Sequence, residues 1–328
     1  MQDTSITPKF ITFVYNMLRF RCNLKESTVN DFFITNKESM ALFRQAFIHS
    51  TFNSETNYEL LEFEGDGVIA SAVVQYIRKT YPDIVSVRFN TRLKHTLVSG
   101  KVLAKIAIQN GFEEFLVISR DLQAYIESFE NKWDCEDYGK AYEDTVEAVC
   151  GAIMSILNKY TAQGVGDAAC YNLISSFLDE YEISLKYEDL FDAKSRLKEI
   201  FDAQGWDRVK GCTLKNCLVT HELEEVLEDD RFAKYKYELM KFNPKIANTG
   251  HKYITFGYAC IGGMPGDKKL LTINTANTKE SEQLASEVII DRLKRMDISI
   301  PIPDAYERKP KKVKKYTVDH KRKVANKY

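Results

Sequence analysis

The chain has no run approaching the ~18 uninterrupted apolar residues that cross a bilayer, which excludes a membrane-embedded protein. Its first stretch, MQDTSITPKFITFVYNMLRF, is broken by Asn16 and has no small-residue cleavage pattern, so a secretory signal is not expected. A cysteine framework is also missing. The seven cysteines, Cys22, Cys135, Cys150, Cys170, Cys212, Cys217 and Cys260, are odd in number and scattered, which excludes a disulfide scaffold and suits the reducing interior of a cell. Cys212 and Cys217 lie near His221, but no second ligand pair follows at the spacing a zinc site needs. Net charge is nearly absent as well, at −1. That figure hides an asymmetry: residues 305–328 hold ten Lys/Arg against two acids, a charge of +8, which leaves −9 for the rest.

What is present is a set of acids in two short helical stretches. Glu62 and Asp66 stand in NYELLEFEGDGV, and Asp144 and Glu147 in YEDTVEAVCGAI. Spacings of four and three bring each pair onto one helix face, where like charges repel. One acidic pair in a helix is ordinarily surface charge or a cap. Two pairs among apolar residues are different: Leu60, Leu61, Phe63, Val68 and Ile69 accompany the first, and Val146, Ala148, Val149 and Ile153 the second. Buried like charges are costly unless a cation compensates, and four hard oxygen donors suit Mg²⁺ or Mn²⁺. Gly65 and Gly151 fit helices that meet closely, since glycine inside a helix is about 1 kcal/mol less favourable than alanine.

These residues carry a family resemblance. NYELLEFEGDGV resembles the ribonuclease III signature, EDTVEAVCGAI its second catalytic segment, QAFIHSTF the segment that opens the nuclease domain, and RLKHTLVSGKVLAKIAIQNGF the stretch joining the two acidic blocks. The similarity covers roughly residues 10 to 185. It implies that Glu62, Asp66, Asp144 and Glu147 bind metal, with Asp66 and Glu147 central to catalysis and Glu59 completing the acidic face one turn earlier. Tyr58 stands where the family usually has Asn, Leu60 where Arg is common, and Glu64 where Leu is usual. Glu64 falls on another helix face, as a solvated or interface charge. Lys140 is either a contact to phosphate or to the acids, or a solvated lysine at a helix start. Phe63 is either a core residue or, as the resemblance implies, part of a dimer contact.

Apolar spacings of three and four recur to about residue 185, in FITFVYNML, LLEFEGDGVIASAVVQYI, LVSGKVLAKIAI and VEAVCGAIMSIL. The length leaves room for about two domains. The expectation is an all-α ribonuclease III endonuclease domain over 1–187, with residues 118–140 either a substrate-facing loop around Trp133 or a variable surface insertion. The pattern changes around residues 186–192, and YITFGYACIGG alternates as a strand, with Ile254, Phe256, Tyr258 and Cys260 on one face. AKSRLKEIFDAQGW and TKESEQLASEVIIDRL resemble the first and last helices of a double-stranded RNA-binding domain. An α+β unit of α-β-β-β-α order is therefore expected over 188–297, stretched by the acidic insertion HELEEVLEDDRF. That fold reads RNA by shape, and the resemblance assigns contacts to Lys194, Glu199, His251 and Lys279. Thr278 replaces the first of a usual lysine pair, which predicts weaker binding and a salt slope lower by about one unit. The alternative is a degenerate domain kept for folding or dimer contacts.

The basic tail over 298–328 is expected to be disordered. It serves phosphate affinity, nuclear import or solubility, and the sequence does not separate these. The protein is expected to be intracellular, cytoplasmic or nuclear, and the resemblance implies a homodimer that cuts double-stranded RNA with Mg²⁺, or Mn²⁺ as a substitute. The alternative is a non-catalytic protein that sequesters double-stranded RNA on the same scaffold.

Overall fold

The computed structural model describes residues 4–205, 218–222, 253–258, 269–275 and 278–295. The chain divides between Ser184 and Leu185 into two compact units. His251, Cys212, Cys217, Cys260, most of the acidic insertion and the basic tail lie outside the described residues.

The described part of the first unit is helical: α1 (Pro8–Asn16), α2 (Glu26–Val29), α3 (Lys37–Gln45), α4 (Glu59–Thr80), α5 (Val87–Leu97), α6 (Gly100–Gln109), α7 (Arg120–Glu127), α8 (Glu136–Tyr160) and α9 (Val165–Glu180). Helix starts follow local chemistry. Thr7 Oγ1 accepts the Phe10 N–H and Pro8 fills the first turn of α1. Asn36, Ser86 and Ser119 accept first-turn N–H groups of α3, α5 and α7 in the same way.

α8 runs through the middle of this unit. Val146, Ala148, Val149, Cys150, Ala152, Ile153, Ile156 and Leu157 are all buried, so the helix is apolar nearly all round and needs neighbours on every side. α4, α6 and α9 supply them. A second cluster, Phe10, Phe13, Phe47, Phe112 and Phe115, packs largely edge to face with ring centroids 4.6–6.4 Å apart. The buried Arg44 guanidinium lies over the Phe10 ring and donates to Phe115 O at 2.8 Å and Thr4 O at 3.2 Å, which satisfies a cation that would otherwise be costly inside.

Residues 118–140 are more regular than a surface insertion suggests. They hold α7, a 3-10 turn over Lys132–Asp134 and the start of α8, with Tyr125 and Trp133 exposed. The Ser119 cap decides the start of α7.

The second unit contains α10 (Tyr187–Leu190), α11 (Ala193–Ala203), β1 (Leu218–Glu222), β2 (Tyr253–Tyr258), β3 (Lys269–Thr275) and α12 (Thr278–Arg295). The strands form an antiparallel sheet in the order β1-β2-β3, with Thr220 opposite Thr255 and Thr255 opposite Ile273. α12 packs on the strands and on α11, so among the described residues a helix, three strands and a helix follow in that order. A register irregularity between Gly257 and Tyr258 interrupts the alternation expected to run on through Tyr258, as glycine inside a strand often marks a bulge. Among the described residues no helix is long and apolar enough to cross a membrane.

Candidate metal centre

Two long helices bring the acids together. α4 carries Glu59, Glu62 and Asp66, and α8 carries Asp144 and Glu147. The helices touch backbone to backbone where the acids stand. A Cβ on Gly65 would lie 1.8 Å from Glu147 O, and a Cβ on Gly151 would lie 2.0 Å from Leu61 O. Each glycine thus opens the space that the other helix's main chain fills.

Glu62, Asp144 and Glu147 each offer a carboxylate oxygen, and these oxygens lie within 4.8 Å of one another. Asp144 and Glu147 are buried and Glu62 is half-buried. Asp66 is exposed and outside this close group, yet it is near enough to raise the Glu147 carboxyl through its charge. Glu59 is exposed one turn before Glu62. Lys140 is not merely solvated. Its Nζ pairs with Asp144 Oδ1 at 2.9 Å while its side chain stays 58% exposed, and the hydrogen bond to Asp144 raises its pKa. The other Asp144 oxygen, Oδ2, accepts the Tyr58 hydroxyl at 3.0 Å.

The electrostatics are those of too many acids in one place. Burial first, then the charges of Asp66, Glu143, Asp144 and Glu62, push the Glu147 carboxyl up to about 8. Burial and Asp144 raise Glu62, and burial, Asp144 and Asp66 raise Glu143. Hard carboxylate oxygens, close together and driven towards protonation by one another, fit a small divalent cation such as Mg²⁺ or Mn²⁺.

That arrangement has a consequence for stability without metal. The folded Glu147 keeps its proton to about pH 8, whereas in the unfolded chain it ionises near its ordinary 4.5. Between those values the folded state binds more protons, so stability falls as pH rises and levels off above 8. Melting temperatures taken in chelator from pH 5 to 9 should show that decline, and it should be shallower in Glu147→Gln. A wild-type profile that climbs with pH relative to the variant would contradict the assignment.

Some side chains depart from expectation. Glu64 is not a freely solvated charge: it is half-buried and accepts the Ser155 hydroxyl at 2.6 Å, which ties α4 to α8. The apolar company of the first pair is divided, since Leu61, Val68 and Ile69 are buried while Leu60 and Phe63 are 67% and 79% exposed. Phe63 is therefore no core residue, because it points away from the face that α8 covers. Glu143 was missed. Its carboxylate occupies the space beside Gly100, where a Cβ would meet Oε2 at 2.1 Å. Its position four residues before Glu147 placed it on the same face and was the available signal.

The residues assigned to RNA contact lie in the second unit. Lys194 Nζ pairs with Glu282 Oε2 at 2.5 Å, Glu199 accepts the Tyr187 hydroxyl, and Lys279 is exposed. His251 is among the residues not described.

A family model described as Ribonuclease-III-like matches residues 39–166, from α3 through α8, and so includes both acidic blocks. This chain carries a ribonuclease-III-like domain. A frog virus 3 protein named as a candidate ribonuclease 3 is 32% identical over 167 residues, covering 50% of this chain and 42% of the relative. A similarly named protein of Invertebrate iridescent virus 6 is 27% identical over 187 residues, covering 52% of this chain and 60% of the relative. Ribonuclease 3 of Acinetobacter pittii is 27% identical over 222 residues, covering 65% of this chain and 82% of the relative. The chain thus spans less than two thirds of the length of either viral relative. In the ribonuclease-III-like domain, α4 and α8 are the helices that present the acids.

Proposed function

We propose that the chain is a metal-dependent endoribonuclease that hydrolyses phosphodiester bonds of double-stranded RNA. The observation that carries this reading is the close carboxylate group Glu62, Asp144 and Glu147, built on two helices of a ribonuclease-III-like domain. In this proposal those three side chains and Asp66 hold Mg²⁺, with Mn²⁺ as a substitute, and Glu59 adds charge at the rim. Ions held there by a two-metal arrangement would supply positive charge to a phosphodiester that gathers negative charge as it is hydrolysed. The chain's own residues do the rest. Glu147 gives up its proton as the site fills, so metal affinity rises with pH towards 8. Lys140 would meet a phosphate oxygen, a role supported by its pairing with Asp144 and its 58% exposed side chain.

The reading extends to the whole chain. The second unit holds the duplex through Lys279, with Lys194 exchanging Glu282 for phosphate, while Glu199 and His251 complete its contacts. Products carry 5′-phosphate and 3′-hydroxyl ends. Incubation with an end-labelled RNA duplex, a matching single strand and a DNA duplex tests this: cutting of the RNA duplex alone, leaving those ends, is expected, and equal cutting of all three would overturn it.

We propose a homodimer that pairs through the outer face of α4, a reading supported by the exposure of Leu60 and Phe63 and by Gly67, which adds no side chain. Two sites facing opposite strands would leave short 3′ overhangs. Phe63→Asp is expected to convert a dimer into a monomer in sedimentation velocity and to turn double-strand cuts into nicks. A variant that sediments as the wild type does would remove this face from the interface.

A further inference from the structure

We propose that Tyr58 is a positioning residue that joins the two helices' acids, setting the Asp144 carboxylate for metal through its hydroxyl and Glu62 through its backbone. The inference rests on the metal-centre reading above.

Tyr58 is 2% exposed and stands immediately before α4. Its hydroxyl donates to Asp144 Oδ2 at 3.0 Å, and its carbonyl accepts the Glu62 N–H at 2.9 Å. One residue therefore grips a candidate ligand on α8 with its side chain and fixes the turn carrying a candidate ligand on α4 with its main chain. Asp144 is held on both oxygens, by Tyr58 at Oδ2 and by Lys140 at Oδ1. The two donors are not equivalent. Lys140 is a long side chain at the surface, free to swing away to another anion, whereas the tyrosine hydroxyl is carried on a rigid buried ring. The tyrosine is thus the donor that fixes the Asp144 carboxylate, an oxygen of which lies within 4.8 Å of oxygens of Glu62 and Glu147.

The ring is braced in turn. The Tyr58 N–H donates to Ile48 O at 3.0 Å, and the His49 ring meets the Tyr58 ring edge to face at 5.3 Å. His49 is itself fixed: its N–H donates to Val117 O at 2.9 Å, and its Nδ1 accepts the Thr51 N–H at 3.0 Å, with the Thr51 hydroxyl 2.9 Å away. The Thr51 hydroxyl oxygen also accepts the Ser119 N–H at 3.3 Å, at the cap of α7. A continuous set of contacts therefore runs from the α7 cap through Thr51, His49 and Tyr58 to Asp144.

Partners that orient metal-ligating carboxylates change metal affinity by about 10–100-fold when removed. Tyr58→Phe keeps the ring and its packing and deletes only the hydroxyl. Calorimetric titration of the full chain with Mn²⁺ is expected to show affinity at least about tenfold weaker than wild type. Duplex RNA binding in Ca²⁺ should be unchanged, and cleavage should recover as Mn²⁺ is raised. Equal Mn²⁺ affinity in a folded Tyr58→Phe would overturn the inference and leave Tyr58 a packing residue. His49→Phe keeps an aromatic edge against Tyr58 and removes the Thr51 bonds, so a Mn²⁺ affinity a few-fold weaker is expected. If Tyr58→Phe fails to fold and His49→Phe binds Mn²⁺ as the wild type does, the inference falls. A wild-type chain that takes up no Mn²⁺ would overturn the metal-centre reading itself, which separates that failure from failure of the positioning role.

Discussion

Gly151→Ala and Gly65→Ala are each expected to reduce stability by about 1–3 kcal/mol and to slow RNA cleavage by about 100-fold. The added methyl would meet backbone rather than a movable side chain, Leu61 O at 2.0 Å in the first case and Glu147 O at 1.8 Å in the second. Main-chain atoms inside two long helices cannot yield locally, so α4 and α8 must separate. The carboxylates ride on those helices, and a displacement near 1 Å at a reacting centre is enough to lose about two orders of magnitude in rate. Gly67→Ala is the control. It lies on the same helix with nothing within 4 Å of its Cβ, and should gain about 0.5–1 kcal/mol from helix propensity. Urea denaturation together with single-turnover cleavage checks both halves. Gly65 and Gly151 variants as stable and active as the wild type would mean that the close approach has no part in forming the site.

Glu147→Gln is expected to lower the cleavage rate at least about a thousandfold, the loss of several kcal/mol of charge stabilisation, while leaving duplex binding intact. The amide keeps the shape of the side chain and removes the charge that holds a cation. The same change should make the metal-free protein more stable above pH 8, because it relieves the ionised cluster formed with Asp66, Glu143, Asp144 and Glu62. Loss of activity with a gain in stability separates a functional acid from a structural one. A variant that cuts at the wild-type rate would remove Glu147 from the chemistry.

Much of the candidate site was legible in the sequence because it is written in helix spacing. Glu62 and Asp66 at four, and Asp144 and Glu147 at three, specify faces without any tertiary knowledge, and Gly65 and Gly151 hint that the two faces meet. Spacing alone does not say how deep each acid lies. It could not separate the buried Glu147 from the exposed Asp66, because depth depends on which neighbouring helix covers the turn. Glu64 was misjudged for the same reason, its partner Ser155 being 91 residues away. Leu60 and Phe63 counted as apolar surroundings, although an apolar side chain next to an acid in sequence can face the opposite way on a helix. α7 was hidden by its charge and aromatic content, with only the Ser119 cap to mark it. In the second unit a strand at Tyr253–Tyr258 and the two flanking helices were legible, whereas the ion pair of Lys194 with Glu282 joins elements 88 residues apart and leaves no local trace.

The most direct test of the account is cleavage of a labelled RNA duplex by the purified full chain in chelator, and then after addition of Mg²⁺. The duplex should stay intact in chelator, and both strands should be cut once Mg²⁺ is supplied. Tight binding with no cutting in either Mg²⁺ or Mn²⁺ would contradict it and make the protein a binder of double-stranded RNA with a silent site.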